Sequence, residues 1–293
     1  MRSLLFVPGD SPKKLEKSLS AGADALVLDL EDSVAADAKA GARKIVRDFL
    51  TTARRSKPRP LLYVRVNALD SGLLDGDLDE VLPGAPDGIM LPKCTAAADA
   101  ILLDAKLAAR EAIAGLPDDS TRVIALATET PGSIFALGGY RGATRRLEGL
   151  CWAGEDLSAA VNAESNRLPT GEYTEPYRIA RALCLFAAHA AEVLPIDSVY
   201  TNYRDLDGLR AEAMDARRDG FAAKLAIHPA QVPVINAVFT PTPEAIAHAK
   251  AVVAAFAAKP GAGVVGLEGA MLDRPHFVRA ERLLAQAKAA GVA

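Results

Sequence analysis

The amino-acid sequence predicts an α/β fold, a (β/α)8 TIM barrel followed by a C-terminal helical extension. Eight short, mostly apolar runs recur along the chain without the alternation typical of a half-exposed sheet, as expected of parallel strands buried on both faces. Amphipathic segments separate these runs, and eight strand–helix units in about 250 residues match the size of such a barrel. A doubly wound open sheet is the alternative.

The predicted strands and helices alternate along most of the chain. The strands are Ser3–Val7, Ala25–Leu30, Leu61–Val66, Gly88–Leu91, Val123–Ala127, Gly149–Ala153, Ser198–Thr201 and Ala223–Ile227. The helices are Pro12–Ser20, Ala35–Thr52, Ala96–Ala114, Pro176–Glu192, Leu206–Arg218, Pro243–Ala258 and Pro275–Ala289. The first helix has a clear start, since Asp10 and Ser11 are capping residues that precede a proline. We expect a barrel domain over residues 1–240 and a helical extension over residues 241–293, which reaches a neighbouring subunit.

The composition excludes several classes of partner. The 293 residues carry a formal net charge of −3, which gives no reason to expect nucleic acid or an anionic membrane. No apolar run approaches the length of a membrane span, and the apolar stretch after Met1 is too short for a signal peptide. Cys94, Cys151 and Cys184 show no CxxC spacing, so a reducing cytoplasm is the expected compartment.

Polar side chains follow almost every predicted strand at its carboxyl end, where catalytic groups of such barrels gather. In chain order these ends carry Pro8 and Gly9; Asp29, Glu31 and Asp32; Arg65 and Asn67; Pro92 and Lys93; Glu129; Glu155 and Asp156; Asn202; and His228. The opposite ends do not show this pattern. The sequence therefore predicts an acidic site with a few cations, suited to a metal that holds an anionic, oxygen-rich substrate.

Glu129 and Asp156 are the candidate metal ligands. They lie in VIALATET and GLCWAGED, each just past an apolar run. Adjacent strands are only about 4.8 Å apart, so both carboxylates can reach one hard cation. Mg2+ prefers such oxygen ligands and leaves other coordination positions to water or substrate. The alternative is two carboxylates that merely cap loops.

Arg65 leaves the third predicted strand beside a cluster of acids. Its guanidinium fork suits bidentate recognition of a substrate carbonyl or carboxylate; the alternative is an ion pair with an acid such as Glu31. Asp29, Glu31 and Asp32 crowd the preceding strand end, where at least one is expected to orient Arg65 or a metal-bound water. Asp29 is alternatively only structural. Lys93 is expected to be a salt-bridge partner rather than a Schiff-base nucleophile.

Three further features give weaker signals, and the first two admit two interpretations each. Lys13 and Lys14 lie at a helix start, which predicts either a docking place for a phosphate-bearing group such as coenzyme A or a solvated basic face. His228 is either an acid/base group or a hydrogen-bonded structural histidine. The polar stretch Ser158–Thr174 is expected to form a lid that sets substrate choice.

A decoy motif lies near the C-terminus. The segment Gly261–Gly266 matches GxGxxG, but it follows a helix and Pro260 rather than a strand, and no βαβ unit continues from it. Dinucleotide binding is therefore rejected. We expect this segment to be a flexible joint that carries the last helix.

Seven motifs together resemble the citrate lyase beta-subunit-like branch of the aldolase/citrate lyase family. They are Arg2–Gly9 (RSLLFVPG), Leu28–Val34 (LDLEDSV), Arg65–Asn67 (RVN), Leu91–Lys93 (LPK), Glu129–Pro131 (ETP), Gly154–Leu157 (GEDL) and Ala226–Pro229 (AIHP). Malyl-CoA and citramalyl-CoA lyases are relatives. The resemblance implies a Mg2+-dependent barrel enzyme that makes or breaks a carbon–carbon bond between an acetyl thioester and a 2-oxo acid.

The resemblance also implies residue roles. Glu129 and Asp156 would bind the metal, and Arg65 would face the substrate oxygen. The segment Gly269–Asp273 resembles one that brings an aspartate, here Asp273, into a neighbouring subunit's site, and the family's usual state is a homotrimer or a dimer of trimers.

These residues suit the chemistry of cleaving a 3-hydroxyacyl thioester. The metal would act as Lewis acid and template, and Arg65 would stabilise the developing oxygen charge. Asp273 would exchange a proton with the acetyl methyl carbon in the condensing direction. Backbone amides around Gly154 and Glu155 would help to hold the carboxylate.

Four functions remain open from the sequence. The first is a stand-alone CoA-thioester lyase or synthase, favoured by the segment GAMLDRP at Gly269–Pro275. The second is a citrate lyase beta subunit whose thioester is attached to a carrier protein. The others are a non-catalytic barrel that binds an organic acid or a partner, and an aldolase of free 2-oxo acids. The pattern does not identify the oxo acid among glyoxylate, pyruvate and oxaloacetate.

Overall fold

Eight parallel strands close into a barrel in chain order, in a computed structural model that describes residues 1–293. The strands are β1 (Ser3–Pro8), β2 (Ala25–Asp29), β3 (Leu61–Arg65), β4 (Gly88–Leu91), β5 (Arg122–Leu126), β6 (Leu147–Cys151), β7 (Leu194–Asp197) and β8 (Ala223–Ala226). Closure is made by β1 and β8, with Leu4 opposite Leu225. The predicted barrel is confirmed, and the open sheet is excluded.

Eleven helices surround and extend the barrel. They are α1 (Pro12–Ser18), α2 (Lys39–Ala53), α3 (Leu74–Val81), α4 (Ala97–Ala114), α5 (Pro131–Ala136), α6 (Gly154–Ala160), α7 (Glu175–Ala191), α8 (Leu206–Asp219), α9 (Val232–Phe239), α10 (Pro243–Ala257) and α11 (Arg274–Ala289). The seven predicted helices all form, whereas α3, α5, α6 and α9 were not predicted. Each of these four has eight residues or fewer, and so short a segment shows little periodicity; the equally short α1 was marked by its capping residues. None of the helices has the length and apolarity needed to cross a membrane.

The strands bury both of their faces, which explains their near-continuous apolar sequences. Alternate residues such as Leu4, Val27 and Ile124 fill the barrel interior. Their neighbours, such as Leu5 and Leu28, belong to a larger cluster of 52 buried residues between the sheet and the helices. The interior is therefore packed with side chains, and a binding site can form only at a mouth of the barrel.

The seventh strand was placed wrongly. The sequence predicted Ser198–Thr201, but the strand is Leu194–Asp197, so Asn202 does not follow it. The true strand contains Pro195, which has no N–H to donate to a neighbouring strand, and Asp197, whose residue type is rarely buried. Its sequence therefore did not resemble that of a buried strand. Asp197 is nevertheless buried, since Lys224 on β8 pairs with it at 2.6 Å.

The C-terminal extension contains a hairpin instead of the predicted flexible joint. Strands β9 (Val264–Leu267) and β10 (Ala270–Asp273) pair antiparallel. The two-residue loop between them, Glu268 and Gly269, has φ of 51° and 80°, as a tight hairpin turn requires. The prediction of flexibility was wrong because glycine content alone does not reveal that turn. Helices α10 and α11 and this hairpin share a separate apolar cluster; the domain boundary at 240/241 stays a prediction.

Replacement of Gly88 by alanine should destabilise the barrel. A Cβ at Gly88 would lie 2.3 Å from Cε1 of Tyr63, which fills the barrel interior, and 2.8 Å from the carbonyl oxygen of Arg122. We expect a loss of about 1–3 kcal/mol in the free energy of unfolding, as for other overpacked cores, measured by urea denaturation. The matched control is Gly41→Ala in α2, where a Cβ meets nothing within 4 Å; equal stability of the two variants would contradict the prediction.

Candidate active site

A cavity of about 430 Å3 opens at the carboxyl ends of the strands. Its charged lining residues are Asp29, Asp32, Arg65, Glu129, Glu155 and Asp156. Its apolar lining residues include Phe6, Leu126, Val199, Leu225 and Ile227. Six charged strand-end side chains singled out in the sequence therefore meet in one place, as the barrel topology requires.

Arg65, at the end of β3, is held in place by a bidentate contact with a carboxylate. Its Nε and Nη2 each donate to an oxygen of Asp29, at the end of β2, at 2.7 Å. Its Nη1 lies 2.9 Å from Glu31 Oε2, and its Cζ lies 4.8 Å from the ring centre of Phe6. Burial would lower the pKa of Arg65, but Asp29 and the neighbouring acids raise it above its ordinary value. The guanidinium is therefore charged and held in one orientation.

Glu31 and Lys93 extend this network to the end of β4. The Lys93 ammonium donates to Glu31 Oε1 and lies 3.6 Å from Asp32 Oδ1, so Lys93 forms a salt bridge, as expected. Burial raises the pKa of Glu31, although Arg65 and Lys93 oppose the shift. Glu31 is buried behind Arg65 and does not line the cavity, whereas Asp32 is more than half exposed and does.

Glu129 and Asp156 face the same cavity from neighbouring strand ends. Thr128 ties these ends together, because its Oγ1 accepts from the amide of Ala153 at 2.9 Å. Glu129 is buried, and its carboxylate accepts one hydrogen bond, from the Lys93 amide. Burial, together with the Asp156 charge, raises the pKa of Glu129 to about 8.

This pair of carboxylates fits a divalent cation. A buried acid facing a second acid is unfavourable without a counter-charge, and a hard cation between them would supply one. The structure has no group of three or more His, Cys, Asp or Glu side chains arranged to bind a metal. Two carboxylates with open positions for substrate and water are the donor set that Mg2+ commonly takes.

Gly154 and Glu155 begin α6, directly after β6. Gly154 is buried, and a Cβ there would lie 3.0 Å from the Trp152 ring, so the chain turns tightly into the helix. Glu155 lines the cavity and accepts from Asn166 Nδ2 at 2.9 Å. That contact belongs to the predicted lid, Ser158–Thr174, which packs on the barrel; its influence on substrate choice stays a prediction.

Several predicted site residues besides Glu31 do not line the cavity. Lys13 and Lys14 are exposed on α1. His228 accepts from the amide of Ala230 at its Nδ1 and stacks on a tyrosine ring at 4.8 Å. Asp273 caps α11, with its Oδ1 2.5 Å from an imidazole nitrogen, and is about half exposed. Asp273 therefore does not contribute to the cavity of its own chain.

Sequence reasoning missed several lining residues. Ser198 follows β7 directly and lines the cavity; it was missed because that strand was placed four residues too late. Ser33 also lines it, although it lies in the quoted motif Leu28–Val34. The sequence left open whether Asp29 has only a structural role; in the structure it makes the bidentate contact with Arg65.

Comparison with known families agrees with this geometry. A family model described as HpcH/HpaI aldolase/citrate lyase matches residues 2–229. A second, described as a carbon–carbon bond lyase of the TIM-barrel fold, matches residues 171–292. The chain belongs to the HpcH/HpaI aldolase/citrate lyase family. The resemblance drawn from the motifs is thus confirmed, and this member of the aldolase/citrate lyase family is a lyase-type enzyme.

Characterised relatives cover nearly the whole chain. The (3S)-malyl-CoA thioesterase of Cereibacter sphaeroides is 35% identical over 98% of this chain and 95% of its own length. The citrate lyase subunit beta of Escherichia coli is 36% identical over 99% and 94%. The crystal structure of CitE from Mycobacterium tuberculosis, in complex with magnesium, acetoacetate and coenzyme A, has a TM-score of 0.77 and 33% identity over 98% of each chain.

The metal-free enzyme should lose stability as pH rises. The pKa of Glu129 is about 8 in the folded state against an ordinary 4.5, so between these values the folded state binds more protons than the unfolded state. The free energy of unfolding should therefore fall from about pH 5 to pH 8, as measured by urea denaturation in chelator. Glu129→Gln, which keeps the amide contact, should reduce this slope, as should saturating Mg2+. Identical slopes for wild type and Glu129→Gln would contradict the prediction.

Proposed function

We propose that this enzyme is a Mg2+-dependent carbon–carbon lyase or synthase that interconverts a 3-hydroxyacyl-CoA thioester with acetyl-CoA and a 2-oxo acid. The observation that carries the proposal is the placement of a fixed, charged Arg65 in the same cavity as the Glu129–Asp156 pair. A similar chain, CitE of M. tuberculosis, was crystallised with magnesium, acetoacetate and coenzyme A, and in another structure with magnesium and the 2-oxo acid pyruvate, which supports the ligand classes.

Each side chain has a distinct task in this reaction. Glu129 and Asp156 would hold Mg2+, which when bound supplies Lewis-acid polarisation of the oxo-acid oxygens. Arg65 would donate to the oxygen that changes between hydroxyl and carbonyl as the carbon–carbon bond breaks, where charge develops. The amides of Gly154 and Glu155 would orient the substrate carboxylate. Because Asp29 and Glu31 already fix Arg65, little reorganisation accompanies the chemical step.

The lining of the cavity favours a small monocarboxylic oxo acid. Five carboxylates line it, with Arg65 as the one cationic side chain, and its other walls are largely apolar. A second substrate carboxylate, as in oxaloacetate, would have no further cation to pair with and would be desolvated at a cost. We therefore propose glyoxylate or pyruvate as the oxo acid, and malyl-CoA or citramalyl-CoA as the corresponding thioester.

A homotrimer, alone or as a dimer of trimers, would complete the site. Asp273 lies at the end of the C-terminal hairpin, outside the cavity of its own chain. In a neighbouring subunit's cavity its carboxylate would exchange the proton at the acetyl methyl carbon. No residue of the chain's own cavity is assigned to this proton exchange.

Two of the relatives support alternative fates for the thioester. The relative named (3S)-malyl-CoA thioesterase makes hydrolysis the second candidate: free CoA would appear from malyl-CoA without acetyl-CoA. The relatives named citrate lyase subunit beta support a thioester carried on a protein partner, for which free CoA thioesters would be inert.

Condensation assays test the proposed reaction directly. Wild-type enzyme with acetyl-CoA and Mg2+ should form product with glyoxylate or pyruvate and far less with oxaloacetate, measured by separating the CoA thioesters. Chelator and the variant Asp156→Ala should both abolish this product, because each removes the cation from the site. The control Asp37→Ala alters an exposed aspartate outside the cavity and should leave it unchanged. No product with any oxo acid, from folded and Mg2+-loaded enzyme, would reject the proposal.

Mixed oligomers test the role of Asp273. Arg65→Ala and Asp273→Ala enzymes should each be inactive, while their co-expressed mixture should recover activity. If a site draws Arg65 from one subunit and Asp273 from another, random assembly leaves about a quarter of the sites intact. If both residues came from one chain, every site in the mixture would lack one of them. An inactive mixture whose mixed subunits are verified by mass spectrometry would therefore reject the shared site.

A further inference from the structure

Lys93 has an unusual backbone conformation for its residue type. Its φ is +54°, in the left-handed region that favours glycine and that lysine adopts at a cost. The other non-glycine residues with positive φ lie in turns or at helix ends. Lys93 instead follows β4 at the rim of the cavity, between the strand ends that carry Arg65 and Glu129. Strained backbone retained at such a place points to a function.

The conformation of Lys93 places its amide on Glu129. That amide donates to Glu129 Oε2, and it is the one hydrogen bond that this buried carboxylate accepts. A carboxylate without other partners can rotate, so this bond decides which way its second oxygen points. Hydrogen bonds from outside the coordination sphere commonly orient ligands in this way.

The side chain of Lys93 explains why the position is not glycine. Its ammonium donates to Glu31 Oε1, and Glu31 Oε2 lies 2.9 Å from Arg65 Nη1. Glycine would satisfy the backbone but would leave Glu31 without this cation. One residue therefore contacts both parts of the site: Glu129 through its amide, and Arg65 through Glu31.

We infer that Lys93 is a positioning residue whose left-handed backbone aims the Glu129 carboxylate at the divalent cation and whose ammonium holds Glu31 against Arg65. The inference rests on the proposed role of Glu129 as a metal ligand. It predicts two separable effects, one on metal affinity through the backbone and one on turnover through the side chain.

The backbone effect is tested by Lys93→Gly, Lys93→Asn, Lys93→Ala and Lys93→Val. All four remove the ammonium equally, but they tolerate positive φ in decreasing order. Mn2+ affinity of the substrate-free enzyme, measured by electron paramagnetic resonance, should fall in that order. We expect Lys93→Val to bind about 10- to 100-fold more weakly than Lys93→Gly, the usual cost of losing an orienting partner. Equal affinities among folded variants would overturn the inference, and the glycine–alanine pair decides it if the valine variant does not fold.

The side-chain effect is tested by Lys93→Met and Lys93→Arg, which are both unbranched and differ in charge. Lys93→Met should lower kcat for condensation while binding Mn2+ no more weakly than Lys93→Ala, and Lys93→Arg should restore part of kcat. A wild-type kcat in Lys93→Met would overturn the inference that the ammonium of Lys93 supports turnover through Glu31.

Glu129→Gln separates failure of this inference from failure of the proposed metal site. If that variant binds Mn2+ as wild type does, Glu129 is not a ligand, and the metal assignment fails together with the inference. If Glu129→Gln loses Mn2+ but the Lys93 backbone series shows no order, the metal assignment stands and only the positioning role of Lys93 is rejected.

Discussion

A continuous chain of polar contacts crosses four neighbouring strand ends at the rim of the barrel. Arg65 donates two hydrogen bonds to Asp29 and also contacts Glu31. Glu31 accepts a hydrogen bond from the ammonium of Lys93, and the amide of Lys93 donates to Glu129. These contacts link the ends of β2, β3, β4 and β5, because parallel strands of a closed barrel all end at one rim. The cavity is therefore framed by groups that fix one another before any substrate arrives, which is the preorganisation that electrostatic catalysis requires.

The acids at this rim are not equivalent, because each has a different counter-charge. Burial acts on Asp29 and on Glu129 alike, yet the Arg65 fork holds the pKa of Asp29 below its ordinary value. Glu129 has no such cation, and burial beside Asp156 raises its pKa to about 8. The negative charge of Asp29 is thus balanced by Arg65, while an ionised Glu129 has no counter-charge from the protein. That difference divides the rim into an arginine side and a metal side.

Most of the rim could be predicted from the sequence because each strand end is marked by a short local pattern. An apolar run that ends in a charged residue marks a strand end, and Arg65, Glu129 and Asp156 all followed that rule into one cavity. The rule failed at β7, because Pro195 and the ionisable Asp197 interrupt the apolar pattern expected of a buried strand. Burial of Asp197 depends on Lys224, 27 residues away, and no local pattern reveals such a pairing. The pairing of Asp29 with Arg65 was likewise beyond local reasoning, since several acids competed for one arginine.

Under the proposed function, the rim and the C-terminal extension divide the chemistry. Arg65 and the cation would stabilise the negative charge that develops on an oxygen, which is the hydroxyl oxygen in carbon–carbon cleavage and the thioester carbonyl oxygen in hydrolysis. Neither group selects between a water molecule and a carbon atom as the reacting partner. That choice falls to the group that moves the proton, and Asp273 lies on an extension with its own apolar cluster, outside the barrel core. Relatives are named as a thioesterase and as lyase subunits; under the proposal, the group that a neighbouring subunit delivers to the rim would decide between these outcomes.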